Sequence, residues 1–405
     1  MTRARRPGAA ALAVAVLAAA VPGVAHAAPP RAPEEPGAWT TAAPLNPRDY
    51  DLRRGPGRGR AVAALGGRLS RTGVRALLRS RGHARLGGGC GRPARVPARS
   101  LVYCFDRADS ATRTWVPQGV TSVSDAAAGE VWAGGVRPIL VSWHNGGRVR
   151  VTFVDPDRRV YRHVLLVAPV MRGGRPTYTD VGVHAGGIAW YGDLLYVADT
   201  WRGLRVFDMR QIFDLSASRA GSTRHPGRIG LHGGTYHAHG FRYVMAQTGA
   251  WEFARGRARG GCRGSGPLRM SWTAVDRTSR PHALIAGEFC HPGRPRGRVV
   301  TWPLDALAGG GTVSADGGAW LPVNRVQGAV RTHGRWWFTQ GRGSGTRGRL
   351  FSTRHTGRGW APVRRRTISY GPEDLSCHRG THRVFTVAEH PGRRALWAFR
   401  TASCS

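Results

Sequence analysis

A repeat of short strand pairs constrains this chain more than any other feature of its sequence. One unit contains Leu194–Asp199 followed by Gly203–Phe207, and another contains Arg335–Gln340 followed by Arg349–Phe351. Each unit reads as strand, turn, strand, turn, strand, and no long amphipathic helix interrupts the series. Six units over residues 111–405 give about 49 residues each, which is typical of a β-propeller blade. We therefore predict an all-β fold, a β-propeller of six four-stranded blades, with a pair of β-sandwiches as the alternative.

The number of units depends on the less regular stretches. We place further unit starts near Gly119 and near Tyr236, and one unit around His282–Phe289 and Val299–Leu304. A five-bladed propeller is the alternative count, and it requires an insertion near residues 252–267.

Ring closure is the physical requirement that a propeller must meet. Sheet edges are protected only if the first and last blades are joined. The last unit has three strands and ends at Ser405, while Leu101–Phe105 lies before the first unit. We predict that this N-terminal strand completes the last blade.

The N-terminus has the pattern of an export signal. Basic residues at Arg5 and Arg6 precede the apolar run Ala9–Val21, and Ala25–Ala27 forms an A-x-A cleavage motif. We predict a Sec-type signal peptide, with twin-arginine export as the alternative. The mature protein is then expected to be secreted and extracellular, without a transmembrane segment.

Three segments follow from these patterns. Residues 1–27 are the predicted signal peptide. Residues 28–98 are rich in Pro, Gly and Arg and are predicted to be a linker with at most a short helix. Residues 99–405 are the predicted propeller domain, and we expect it to be a monomer.

The six cysteines fit an oxidising compartment. An even count in an exported chain predicts up to three disulfides. Proximity in sequence favours Cys90–Cys104, Cys262–Cys290 and Cys377–Cys404. Pairing of Cys104 with Cys404 is the alternative, because both would lie near the predicted seam.

Polar residues recur at the start of the predicted innermost strands, where they would form a ring at one channel mouth. Such a ring is a candidate ligand-binding site, and strand-end capping is the alternative explanation. The candidates are Gln118, His184, His237, His239, Gln327, Glu373 and Asp374.

His237 and His239 suggest a second possibility. Residues i and i+2 of a strand point to the same side, so both imidazoles could reach one divalent metal ion, with Glu373 supplying an oxygen ligand. This hypothesis predicts a metal-dependent hydrolase or lactonase at the channel mouth. The primary hypothesis is a secreted, disulfide-stabilised propeller that binds a wall polymer, a glycan or a protein.

The charge of the chain is extreme and also uniform in type. It carries 61 basic and 23 acidic residues, and every basic residue is Arg. The absence of Lys excludes a Walker A phosphate loop and a Schiff-base lysine. Because the charge is spread along the chain, an anionic polymer is a plausible partner class but a dedicated nucleic-acid surface is not expected.

Several runs of residues resemble a known group of proteins. The runs are Trp115–Gly119, His184–Ile188, Tyr196–Thr200 and Gly371–Ser376. They resemble an uncharacterised family of exported proteins of high-GC bacteria, and the resemblance extends over residues 100–400. It implies export and a propeller-like repeat body, and it implies no particular reaction.

Overall fold

The computed structural model describes residues 44–405 except Pro295 and Gly357. The predicted signal peptide at residues 1–27, and the predicted linker up to residue 43, lie outside the described residues. No helix in the described part is long and apolar enough to cross a membrane.

The described strands form five blades, each with four antiparallel strands in innermost-to-outermost order. Blade 1 consists of Val116–Ser122, Ile139–His144, Val149–Asp155 and Val160–Arg172. Blade 2 consists of Ile188–Tyr191, Leu194–Asp199, Gly203–Asp214 and Tyr243–Phe253. Blade 3 consists of Trp272–Asp276, Ala283–Gly287, Arg298–Pro303 and Gly317–Trp320. Blade 4 consists of Val326–Thr332, Arg335–Gln340, Arg347–Thr356 and Arg364–Tyr370, and blade 5 of Ser376–His378, Arg383–Ala388, Ala395–Arg400 and Leu101–Tyr103.

The innermost strands close into a ring. The first strand of each blade contacts the first strand of the next, and that of blade 5 contacts that of blade 1. The apolar core lies between neighbouring blades: Val141 of blade 1 packs in one cluster with Phe385 and Leu396 of blade 5. The propeller predicted from the repeats is therefore confirmed, and within residues 44–405 it has five blades.

The count falls from six to five because the unit expected near Tyr236 is not a blade. Thr235–Ala238 belongs to a small three-stranded sheet with Gly221–Ser222 and Ile229–His232. This small sheet is inserted before the outermost strand of blade 2, Tyr243–Phe253. The five-bladed alternative places an insertion near residues 252–267, whereas the inserted sheet lies earlier in the chain. Short alternating strands look the same in a blade and in an inserted sheet, so periodicity alone does not separate them.

Ring closure occurs as predicted. Leu101–Tyr103 pairs antiparallel with Ala395–Arg400, and Val102 lies opposite Trp397. A parallel pairing of Leu165–Val167 with Val244–Ala246 also joins the outermost strands of blades 1 and 2.

Residues 44–98 differ from the predicted linker, because they are folded against the propeller. Leu52 pairs with Phe253 at the outer edge of blade 2, and the side chains of Leu65 and Leu77 are completely buried. A few well-placed apolar residues suffice to dock the segment, although its Pro and Gly content resembles a linker. It contains the helices Gly59–Gly66, Val74–Arg79 and Gly91–Ala94, the 3-10 turn Pro47–Tyr50, and the strands Leu52–Arg54, Arg71–Thr72 and Ala84–Arg85.

The remaining elements are short connections within and between blades. They are the helices Arg107–Ala111 and Val123–Ala126, the 3-10 turns Ala306–Ala308 and Arg379–Thr381, and the strands Arg175–Asp180, Thr312–Val313 and Gly359–Trp360.

Three disulfides are present, with the connectivity that proximity favours. They join Cys90 to Cys104, Cys262 to Cys290 and Cys377 to Cys404. The first follows the closing strand, the second braces the entry to blade 3, and the third ties the C-terminal tail to the innermost strand of blade 5. The alternative pairing of Cys104 with Cys404 does not occur.

Candidate functional site at the channel mouth

A cleft of about 620 Å³ opens at one mouth of the central channel and receives side chains from all five blades. These residues lie at the start of innermost strands or just beyond the second strands. They are Val116, Gln118, His144, His184, Thr200, Trp201, Arg269, Ser271, Phe289, Gln327, Glu373 and Glu389.

Four of the ring candidates line this cleft: Gln118, His184, Gln327 and Glu373. Asp374 is fully buried and is not among the cleft-lining residues. Its Oδ2 accepts hydrogen bonds from two backbone N–H groups, those of Val120 and Ile188, each at 3.4 Å. Burial raises the pKa of Asp374 well above its usual value. Asp374 therefore links the innermost strands of blades 1 and 2 to blade 5.

His237 and His239 lie in the small inserted sheet and its turn, and neither lines the cleft. The strand ends at Ala238 and His239 has φ of 50°, so the i, i+2 alternation is broken. His239 Nε2 lies 3.1 Å from Asp180 Oδ1, whereas the ring of His237 packs against that of His225. The predicted metal set of His237, His239 and Glu373 is therefore not assembled.

The metal hypothesis has no other support in the described residues. Within the described ranges, no group of three or more His, Cys, Asp or Glu residues is arranged to hold a metal ion.

The floor of the cleft contains a pair of carboxyl groups. Glu373 and Glu389 are hydrogen-bonded to each other. Gln327 Nε2 donates to Glu373 Oε1 at 2.7 Å, and Gln118 Nε2 donates to Glu389 Oε2 at 3.1 Å. Burial, and then the charge of Glu389, raise the pKa of Glu373 well above its usual value. The raised pKa favours the protonated form of Glu373, and a protonated carboxyl group beside a second carboxyl offers both a donor and acceptors.

Two imidazoles form another part of the wall. The rings of His144 and His184 lie 4.3 Å apart between centroids. Burial, followed by His144 and Arg269, lowers the pKa of His184 to about 4. His184 is thus neutral at physiological pH and offers one donor and one acceptor.

Arg269 and Trp201 form the rim. The Arg269 guanidinium lies 5.4 Å from the centre of the Trp201 ring, which is 43% exposed. An aromatic face exposed at the rim of a cleft is a surface on which a ligand can stack.

A buried ion pair positions this rim. Arg298 Nη2 lies 2.7 Å from Glu288 Oε1, and both side chains are almost inaccessible to solvent. The same Glu288 oxygen accepts from the backbone N–H of Arg269 at 3.0 Å, and Arg298 Nη1 donates to the carbonyl of Gly266 at 2.7 Å. The pair therefore holds residues 266–269 beside the cleft.

Glycines let the innermost strands approach each other at the mouth. A Cβ added at Gly187 would lie 2.0 Å from the backbone N of Thr273, and one at Gly328 would lie 2.3 Å from Cα of Asp374. The glycines near the polar ring thus allow close packing between blades and do not only form turns.

Sequence reasoning missed several cleft residues, including His144, Trp201, Arg269 and Phe289. For some of them the sequence does contain a signal, because they lie at or just beyond the end of the second strand of a blade. Glu389, Asp199 and Gln340 occupy such positions, but only Glu389 lines the cleft. Asp199 pairs with Arg205 at 2.8 Å, and Gln340 donates to a backbone carbonyl.

Comparisons with known proteins identify no family for this chain. No family model matches the chain, and no curated protein matches it. A solved structure described as an oxidoreductase (glucose dehydrogenase) from Thermus thermophilus is 12% identical, with a TM-score of 0.30. The alignment covers 74% of this chain and 100% of that one. At this TM-score the similarity supports no inference about fold or activity.

Proposed function

We propose that the channel mouth is the binding site for a saccharide unit of an extracellular glycan or wall polymer. The observation that carries the proposal is the convergence of all five blades on one cleft with Trp201 exposed at its rim. Sugars have apolar ring faces that stack on aromatic side chains and hydroxyl groups that both donate and accept hydrogen bonds.

The polar groups of the cleft match that chemistry. The amides of Gln118 and Gln327 and the carboxyl pair of Glu373 and Glu389 supply donors and acceptors within one space. Neutral His184 adds one of each. A cavity of about 620 Å³ is within the usual range for small-ligand sites. The three disulfides support an extracellular setting.

Binding is favoured over glycoside hydrolysis by the geometry of the carboxyl pair. Glycosidases place two carboxyl groups about 5 Å or more apart, so that the sugar or a water molecule fits between them. Glu373 and Glu389 are in hydrogen-bond contact instead. The metal-dependent hydrolase alternative has no assembled ligand set, as described above.

The test is isothermal titration of the secreted protein with a panel of neutral oligosaccharides. For a saccharide that binds, we expect Trp201→Ala to weaken affinity by about tenfold or more, because stacking on an aromatic contributes roughly 1–3 kcal/mol. Val131→Ala is the matched control, since Val131 is the other large apolar side chain that is exposed among the described residues, and it lies outside the cleft. Binding that is equally strong in both variants would place the saccharide elsewhere.

A further inference from the structure

A second groove lies on one face of blade 4, away from the channel mouth. Its volume is about 390 Å³, and it is bounded by three strands of blade 4 and the C-terminal segment 401–403. The groove shares no residue with the channel-mouth cleft. It therefore calls for its own explanation.

The strand register brings several arginines to this face. Ser352 lies opposite Trp337 on one neighbouring strand and opposite Arg364 on the other. Because alternate residues of a strand share a face, Arg366 lies on the side of Arg364, and Arg335 lies on the side of Trp337. Arg335, Arg364 and Arg366 thus surround Ser352 from two sides.

Positive charge on this face is not compensated by carboxylates. The groove lining includes no Asp or Glu. Among the described residues, Arg335, Arg364 and Arg366 form no ion pair. Like charges brought together in this way repel one another unless an anion lies between them.

Arg366 is also held in place before any ligand arrives. Its guanidinium lies 4.6 Å from the ring centre of Phe399 and 6.0 Å from that of Trp337. Trp337 is in turn anchored by a hydrogen bond from Nε1 to Ser403 Oγ at 3.1 Å. A guanidinium held by aromatic packing loses little side-chain freedom on binding.

We propose that this groove binds a tetrahedral oxyanion ester, phosphate or sulfate, carried by an anionic extracellular polysaccharide. Guanidinium groups donate paired hydrogen bonds that match such oxygens. Arg335, Arg364 and Arg366 approach from opposite sides of Ser352, so three or more oxygens can be satisfied together, which a planar carboxylate does not offer. The proposal does not depend on saccharide binding at the channel mouth.

The experiment compares two double variants that remove the same charge. Arg335→Gln/Arg364→Gln changes the groove without disturbing the Arg366 packing, and Arg107→Gln/Arg113→Gln changes exposed arginines outside it. Affinity is measured for polyphosphate, dextran sulfate, polygalacturonate and neutral dextran at several salt concentrations.

We expect the groove variant to lose about tenfold or more in affinity for polyphosphate or for dextran sulfate, because it removes the charge-assisted hydrogen bonds of two guanidinium groups. The slope of log affinity against log salt concentration should also decrease in magnitude by about one for each arginine removed. The control variant should lose less than about threefold. Comparison of polyphosphate with dextran sulfate tells whether the groove prefers phosphate or sulfate groups.

Two outcomes would overturn the proposal. Equal losses in both variants would mean that only the diffuse charge of the protein attracts polyanions. Equal affinity for polygalacturonate would remove the preference for a tetrahedral ester. Trp201→Ala should leave polyanion binding unchanged, so a failure at this groove is distinguishable from a failure at the channel mouth.

Discussion

At the scale of single residues, Gly328 shows how closely neighbouring blades approach. It lies on the innermost strand of blade 4, where an added Cβ would lie 2.3 Å from Cα of Asp374 on the chain entering blade 5. The obstacle is backbone and cannot rotate away. Any side chain at this position therefore forces two blades apart.

We predict that Gly328→Ala lowers the free energy of unfolding by about 1–3 kcal/mol, the usual cost of overpacking a core. Urea denaturation followed by Trp fluorescence measures it. Gly345→Ala is the control, because an added Cβ there meets no atom within 4 Å. Equal stability of Gly328→Ala and the control would contradict the close-approach argument.

Asp125 is a buried carboxyl group between blades 1 and 5. Its Oδ2 accepts from Ser376 Oγ at 2.6 Å and from Thr121 Oγ1 at 2.8 Å. Burial raises the pKa of Asp125 to about 6, although these hydrogen bonds and Arg379 act in the opposite direction. The folded protein thus holds a proton that the unfolded chain releases near pH 4.

This raised pKa has a defined effect on pH dependence. Between pH 4 and 6 the folded state binds more protons than the unfolded state, so the contribution of Asp125 to stability falls as pH rises. We predict that Asp125→Asn removes a decline on the order of 2 kcal/mol over this window. Unfolding free energies measured at pH 4, 5 and 6 test it. Asp157→Asn, which changes a largely exposed carboxylate, should retain the wild-type slope.

At the scale of elements, the closing strand of blade 5 depends on a disulfide next to it. Leu101–Tyr103 ends immediately before Cys104, which is bonded to Cys90 beside the helix Gly91–Ala94. The bond tethers a strand of three residues whose ladder with Ala395–Arg400 is short.

We predict that Cys90→Ala/Cys104→Ala costs about 3 kcal/mol of stability, from the entropy of a loop of this size. It should also speed hydrogen exchange at residues 396–398, where the closing strand pairs. Cys262→Ala/Cys290→Ala is the matched control, since it also removes a local disulfide but lies at blade 3. Unchanged exchange at 396–398 in the first variant would show that the strand needs no tether.

Much of the element pattern was predictable from the sequence. Period-2 alternation located the strand pairs, and the missing fourth strand of the last unit led to Leu101–Phe105 as its partner. Proximity of cysteines gave the disulfides. Four of the ring candidates line the cleft, because equivalent positions of successive repeats face the same channel mouth: Gln118, His184, Gln327 and Glu373.

The rest could not be predicted from local pattern. Arg269 reaches the cleft through a loop that the Arg298–Glu288 pair positions, and its guanidinium packs against Trp201. That ion pair joins the start of one strand to the residue just beyond its neighbour. His237 lies on a strand of the small inserted sheet and not on an innermost strand of a blade. In both instances the deciding information is which strand pairs with which, and single-strand periodicity does not contain it.

At the scale of the whole molecule, the N-terminal part of the described chain acts as a brace. The 3-10 turn Pro47–Tyr50 contacts blade 3 through a hydrogen bond from Trp302 Nε1 to the Tyr50 carbonyl at 2.9 Å. Leu52 pairs both with Phe253 and with Val313. Residues 44–105 therefore hold blades 2, 3 and 5 together from outside the ring.

We predict that a chain beginning after Phe105 self-associates, because the outer edge of the strand Ala395–Arg400 would be unpaired. Size-exclusion chromatography with light scattering gives the oligomeric state. A chain beginning at residue 44 retains the closing strand and is expected to remain a monomer. A monomeric, folded product from the shorter chain would show that closure is dispensable.

The closing strand also sets an order of events for folding. Its partner residues 396–398 are synthesised after blades 1 to 4, which are built from strands that follow one another along the chain. Joining segments roughly 290 residues apart costs about 5 kcal/mol in chain entropy when nothing between them is yet ordered. Once the other four blades have folded, the chain between the two segments is already ordered. Most of this loss of chain entropy then no longer opposes their pairing. Blade 5 is therefore expected to form last, and a nascent chain exposes an open sheet edge until residues 396–398 have been synthesised.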